Sequence, residues 1–361
     1  MKILRMMKKY CKLLFILLFF STYYLAYSNV IGPIVKQKSI KKIYFVNPNV
    51  DVVINNTYGN ISVATWDEDK VELDILIKVL GQNEKWIDQK LDDITINIEA
   101  LKAKITATTS IGNSINSSKN QNNSFEIHYQ LKIPKNGNLT ILNKYGNIYL
   151  GEINGFTNIS CQYGKILIDR LSNEKNNIYL EYCENSKINY IKKANISSKY
   201  SELDIDTALS LTVDSNYTQL QIDQIGTLQL HTKYGNVSIK NIKNFVSRST
   251  YTDIDILQIV EQAIINTKYG HVKIQNMEVN NLININGSYT QIEIGFKPSY
   301  AFDFNISLKY ADLKAPNDLY FNTKSESAVH SNYLGYYKTR GLHQITLQSD
   351  YGNIKLTKNK L

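Results

Sequence analysis

Few residues in this chain of 361 have the type and spacing for chemistry. The five histidines (His128, His231, His271, His330, His343) never stand at the separations of a metal-binding pair, and no histidine lies in a local motif with Cys161 or Cys183. Neither a metal site nor a cofactor is therefore expected. The calcium-binding glycine-aspartate nonapeptide, a glycine-rich phosphate loop and a G-x-S-x-G elbow are all missing from the sequence. The carboxylates offer one option. Asp204 with Asp206, and Asp253 with Asp255, alternate along strand-like segments, and Asp206 would lie near Asp223 one repeat later. Paired carboxylates of this kind could act as acid and base on a glycan. Alternate outward positions on a strand are also polar simply because they face water.

The more distinctive residues are tyrosines. NKYGNIYLG, CQYGKILI, SKYSELDI, SNYTQLQI, TKYGNVSI, STYTDIDI, TKYGHVKI, GSYTQIEI, LKYADLKA and SDYGNIKL are versions of one phrase. Their anchors are Tyr145, Tyr163, Tyr200, Tyr217, Tyr234, Tyr251, Tyr269, Tyr289, Tyr310 and Tyr351, with Tyr58 an early copy and Tyr182 a degenerate one. From Tyr145 to Tyr310, counting Tyr182, the spacings are 18, 19, 18, 17, 17, 17, 18, 20 and 21.

The elements that carry these tyrosines follow from the apolar columns. Before the anchor, apolar residues fall at even offsets, as in Leu139 and Ile141 ahead of Tyr145; after it they fall at odd offsets, as in Ile148 and Leu150. Period-2 alternation predicts strands on both sides, and the switch of parity predicts a bend at the tyrosine. By that parity the tyrosine and the residue before it face outward. The residue after it is small throughout, Gly146, Gly164, Ser201 and Thr218 among them, and glycine there suggests a positive-φ turn or close approach of the next coil. The expected fold is all-β: a single-stranded β-solenoid (β-helix) of ~18-residue units anchored by Tyr-Gly or Tyr-Thr bends, with tyrosines laddered at about 4.8 Å. From Tyr217 to Tyr310 the copies alternate between Thr-bearing and mostly Lys-Tyr-Gly forms, so a coil of ~35 residues containing two units is equally open.

Composition sets the outer bounds. Apolar residues make up 43% and charged residues 20%, enough to bury a core, which excludes disorder throughout. The formal charge of +9 includes Lys2, Arg5, Lys8, Lys9 and Lys12; without them 36 basic residues face 32 acidic ones, a mild excess that does not suggest a nucleic-acid partner. Those five precede or flank the apolar run Leu13–Phe20 and the more polar STYYLAYS, the layout of a secretory signal. Cleavage is expected after Ser28, leaving no transmembrane span. The expected organisation is a signal peptide over 1–28, an N-terminal β region and cap over 29–138 with a short helix at Glu84–Asp93, and the repeat region over 139–361. Loops or breaks are expected at Ser110–Ser124 and at 316–340, with the last tyrosine phrase closing the structure. Cys161 lies two residues before one anchor and Cys183 one residue after the next, a stagger of roughly 10 Å along a strand that argues against a disulfide.

The opening VDVVINNTYGNISVATWDEDKVELDI, the repeated YGNI-like phrases and the ending RGLHQITLQSDYGNIKL resemble the bacterial exported putative-adhesin family of Bacteroidota type, a domain of unknown function built of repeated β-strands. The resemblance covers about residues 42–357 and implies a β-helical protein of the periplasm, cell surface or extracellular space. The regular tyrosine at the bend is a departure from it. The functional expectation is an exported, non-enzymatic adhesin or cell-envelope scaffold module, whose partner is a surface glycan or an envelope protein. Its candidate binding edge is the row Tyr145, Tyr163, Tyr200, Tyr217, Tyr234, Tyr251, Tyr269, Tyr289 and Tyr310, with the lysines ahead of many anchors keeping that edge soluble. Two other readings are a carbohydrate-active enzyme using Asp204, Asp206, Asp223 and Asp255, and an envelope protein with no ligand in which stacked tyrosines only stabilise.

Overall fold

The computed structural model describes residues 32–112, 123–277, 282–341 and 343–359. The expected leader, its cleavage site and most of the Ser110–Ser124 loop lie outside them. Among the described residues no helix is long and apolar enough to cross a membrane.

Among the described residues the chain is all-β apart from one short helix, and its centre is a β-solenoid of parallel strands. Leu139 pairs with Thr157, Thr157 with Asn176, Asn176 with Ala194, Ala194 with Leu211 and Leu211 with Leu228, so the ladder advances by 17 to 19 residues per rung. A second ladder runs beyond the bend, through Ile168, Ile188, Ile205 and Ile222. In-register pairing puts like on like. Ile141, Ile159, Ile178 and Ile196 form one buried file and Ile205, Ile222, Ile239 and Ile256 another, joined in one continuous core. β-branched side chains suit this pleated, fully buried surface.

Both ends depart from chain order. The coil bearing Tyr58 lies directly beneath that of Tyr145, because Asp51–Thr57 pairs with Asn138–Lys144 and Ile61–Trp66 with Ile148–Ile153. The intervening chain folds back over that end. Lys104–Ile111 and Ser124–Pro134 add the next parallel rung, and the antiparallel strands Lys70–Gly81, Ile34–Phe45 and Ile94–Leu101 complete the cap. The helix spans Glu84–Asp93, where it was expected; Asn83 caps it by accepting the Trp86 amide, and Ile87 is buried beneath it. The outermost strand, Ile34–Phe45, carries Lys36, Lys38, Lys41 and Lys42, which discourage edge-to-edge pairing.

At the other end the last tyrosine phrase does not close the stack. Gln344–Asp350 inserts between Leu282–Phe296 and Phe302–Lys309, pairing in parallel with both. The hairpin of Tyr320–Glu326 and His330–Tyr337 then covers Phe302–Lys309 in antiparallel fashion. The segment 316–340, expected as a break, is thus the terminal cap, and its Tyr333 and Tyr337 are buried.

Candidate functional site

Every anchor tyrosine adopts the left-handed conformation, with φ between 48° and 63°. The expectation had placed this freedom on the following glycine, and that is corrected: Gly341 is the one glycine with positive φ among the described residues. The close approach expected of the glycines does hold. A Cβ on Gly235 would lie 2.3 Å from the Thr218 carbonyl oxygen, and one on Gly270 2.1 Å from that of Thr252. The left-handed residue turns the chain between its two strands, and this is what switches the apolar parity.

Because each bend repeats on every rung, the rings stack. Their order is Tyr58, Tyr145, Tyr163, Tyr182, Tyr200, Tyr217, Tyr234, Tyr251, Tyr269, Tyr289, Tyr351 and Tyr310, with successive centroids 4.7 to 5.1 Å apart and ring planes within 18° of parallel. Tyr182, read as degenerate in sequence, is a full member. Tyr351 separates Tyr289 from Tyr310, and Phe125 packs edge-on against Tyr58 at the cap end. The tyrosines are 41 to 50% exposed. All nine expected edge residues therefore lie in one row, to which Tyr58, Tyr182 and Tyr351 are added.

Stacking changes what the row offers. An interior ring presents both faces to its neighbours, so the accessible parts are ring edges and phenol hydroxyls. A partner meets a line of hydrogen-bonding groups repeated at the strand spacing rather than a series of open aromatic platforms. Lys144 lies with its Nζ 5.0 Å from the Tyr145 ring centre and 5.7 Å from that of Tyr163.

Three of the four candidate carboxylates are engaged with other groups, whereas Asp204 keeps a buried Oδ1 without a hydrogen-bond partner. Asp206 pairs with Lys187 at 3.1 Å, Asp223 with Lys240 at 2.8 Å, and Asp255 accepts from Gln275 at 3.1 Å. Burial, with Glu202 nearby, raises the Asp204 carboxyl above its ordinary range. Among the described residues no group of three or more His, Cys, Asp or Glu could hold a metal ion.

Cys161 and Cys183 are free and buried, yet the distance argument fails. The Cys183 thiol donates to the Cys161 carbonyl oxygen at 3.2 Å. The bend at Tyr182 turns Cys183 back towards the neighbouring coil, so a stagger measured along a straight strand overstates the separation.

A parallel solenoid with one repeated edge belongs to the class of repeat proteins whose coils touch only their neighbours and whose surface is an extended strip. The chain belongs to the family described as Toastrack DUF4097, whose model matches residues 40–357. Among solved structures it is similar to a putative cell adhesion protein from Clostridium sporogenes, with 11% identity over 89% of this chain and 100% of that one and a TM-score of 0.17. It is also similar to a putative adhesin from Bacteroides fragilis (13% identity, 88% and 97% coverage, TM-score 0.29). A third is a putative lipid binding protein from Parabacteroides distasonis (13% identity, 91% and 97% coverage, TM-score 0.28). No curated protein matches the chain.

Proposed function

We propose that the protein is an exported, non-enzymatic solenoid in which each tyrosine phrase forms one full coil, and that its tyrosine edge is an adhesion surface for a cell-surface or envelope glycan. The leader-like N-terminus supports export, and the strand register of 17 to 19 residues supports the single-phrase coil. The observation that carries the reading is strain at an exposed edge. A left-handed non-glycine residue costs about 1–2 kcal/mol, while a stacked aromatic pair returns about 0.5–1.5 kcal/mol. With about one stack per tyrosine along the row the two nearly cancel, and a row of glycines, free of that strain but costing about 0.5–1 kcal/mol each in chain freedom, would be of similar stability; only a single replacement, which breaks two stacks, favours tyrosine clearly. An unbroken line of exposed phenol hydroxyls is what tyrosine adds and glycine cannot, and it supports a binding role. The non-enzymatic part rests on Asp206 and Asp223 being paired to lysines rather than to each other.

The test is a binding and turnover screen of the chain from Asn29 against glycans and envelope polymers. Saturable capture without turnover is expected, weakened at least severalfold in a Tyr234→Asn and Tyr269→Asn double variant that keeps the bends. Turnover by the wild type, or undiminished capture by a folded variant, would overturn the proposal.

A further inference from the structure

The tyrosine row divides two faces of opposite charge. On the outward positions of the strand before it, from Lys199 to Lys268, stand Lys199, Lys233, Arg248 and Lys268 against the single carboxylate Asp214. On the strand after it stand Glu202, Asp204, Asp206, Asp223, Asp253 and Asp255 against Lys240 and Lys273. Arg248 and Lys268 are exposed, and among the described residues neither they nor Lys199 and Lys233 make an ion pair. Arg248 and Lys268 meet in a groove of about 270 Å³ lined also by His231, Thr250, Asn266, Asn286 and Ser288, of which Thr250 and Lys268 directly precede Tyr251 and Tyr269 in the chain. Lys233 and Lys268 are two coils apart, about 9–10 Å at the usual strand spacing. Free cations at a regular interval, amide and hydroxyl donors between them, and a line of phenols alongside fit a polymer whose anionic groups recur at least at that interval.

We propose that this flank, centred on Arg248 and Lys268, binds an anionic polysaccharide, its carboxylate or sulfate groups seated in the groove and its hydroxyls on the tyrosine edge. The proposal rests on the glycan-binding reading and names the class of glycan. Guanidinium holds such oxyanions by charge-assisted, two-pronged hydrogen bonds. Exposed charge recognition also weakens as salt screens it.

The experiment measures capture of the folded chain from Asn29 on four immobilised polymers: polygalacturonate, heparin, dextran and duplex DNA. Salt-sensitive capture on polygalacturonate or heparin is expected, falling about tenfold or more in an Arg248→Glu and Lys268→Glu double variant. Lys273→Glu, on the opposite flank, should leave it unchanged, and equal unfolding midpoints should show that all three chains are folded. Preference for the first polymer assigns carboxylates, for the second sulfates. Equal or preferential capture on dextran would overturn the anionic assignment and leave the glycan-binding reading standing. Capture on DNA as tight as on the polysaccharides, or a double variant that binds like wild type, would also overturn it, and silence on all four polymers would remove both readings.

Discussion

If the bend requires a left-handed residue, replacing one tyrosine should invert the usual ranking of alanine and glycine. Tyr234 has φ 55° and stacks on Tyr217 at 4.7 Å and Tyr251 at 5.0 Å. Tyr234→Ala loses both stacks, about 1–3 kcal/mol together, and keeps the left-handed penalty because alanine retains a Cβ. Tyr234→Gly loses the same stacks and recovers about 1–2 kcal/mol of backbone strain, offset by about 0.5–1 kcal/mol for glycine's greater freedom in the unfolded chain. Stability should therefore fall in the order Tyr, Gly, Ala, with glycine above alanine by about 0.5–1 kcal/mol and asparagine between them. Gln229, on an ordinary outward strand position of the same coil, is the internal control: there Gly should be the less stable by about 0.5–1 kcal/mol. Urea denaturation followed by circular dichroism reads the difference as a shift in midpoint at constant slope. Alanine equal to or better than glycine at position 234 would refute the strain argument and remove the reason for reading the tyrosines as more than stabilisers.

Three further outcomes follow from the same geometry. Gly270→Ala should cost at least about 2–3 kcal/mol in the same denaturation assay, since the new methyl meets a backbone oxygen at 2.1 Å that cannot rotate away. Tyr129 is buried with its phenol hydrogen-bonded to Thr109 at 2.7 Å, and burial pushes its pKa up to about 12 from 10. The folded state then holds a proton that the unfolded state releases, so stability should fall from about pH 10 to about pH 12 by something on the order of 2–3 kcal/mol; Tyr129→Phe should flatten that alkaline limb. Deleting the residues from Gln344 onward should release the whole terminal cap rather than one rung, because Gln344–Asp350 is the bridge between Leu282–Phe296 and Phe302–Lys309, and limited proteolysis should then cut within 302–340.

How much was legible in the sequence depended on which interactions are local. The apolar columns around each tyrosine are set by strand pleat, a property of a few consecutive residues, and the buried isoleucine files lie where those columns put them. The helix at Glu84–Asp93 was equally readable from its own residues. What failed was whatever depended on chain crossing. Tyr58 and Tyr145 are neighbours across 87 positions because a cap is spliced between their coils, and Tyr351 enters the stack ahead of Tyr310 because a parallel strand can be added wherever an edge is free. Residue type alone points the positive φ to the glycine, whose backbone is the more permissive. The sequence signal that could have corrected this is the retention of the tyrosine itself where the following residue varies among Gly, Ser, Thr, Ala and Cys: the invariant position is the one the bend constrains. The charge division was also present as text, but without the bend to assign each strand its own face the lysines ahead of the anchors looked only like solubilising residues.

The alternation that left a coil of ~35 residues open has a local cause. Ser201, Thr218, Thr252 and Thr290 each donate a hydroxyl to the carbonyl two residues back, an arrangement that holds the bend with a side chain. Gly235, Gly270 and Gly352 instead approach the carbonyls of Thr218, Thr252 and Thr290 on the adjacent rung so closely that a Cβ would fall 2.0 to 2.3 Å away. Hydroxyl-bearing and glycine bends therefore fit as neighbours, and like need not sit on like. Nor is alternation required, since Gly146 stands over Gly59 and Gly164 over Gly146 in the same close contact, and Thr218 follows Ser201 with its hydroxyl 3.3 Å from that of Ser198. What every rung shares is the left-handed tyrosine. Residue choice beside it can vary from coil to coil because each bend answers only to the bend next to it, whereas a tyrosine changed to another residue would interrupt a line that runs the length of the stack.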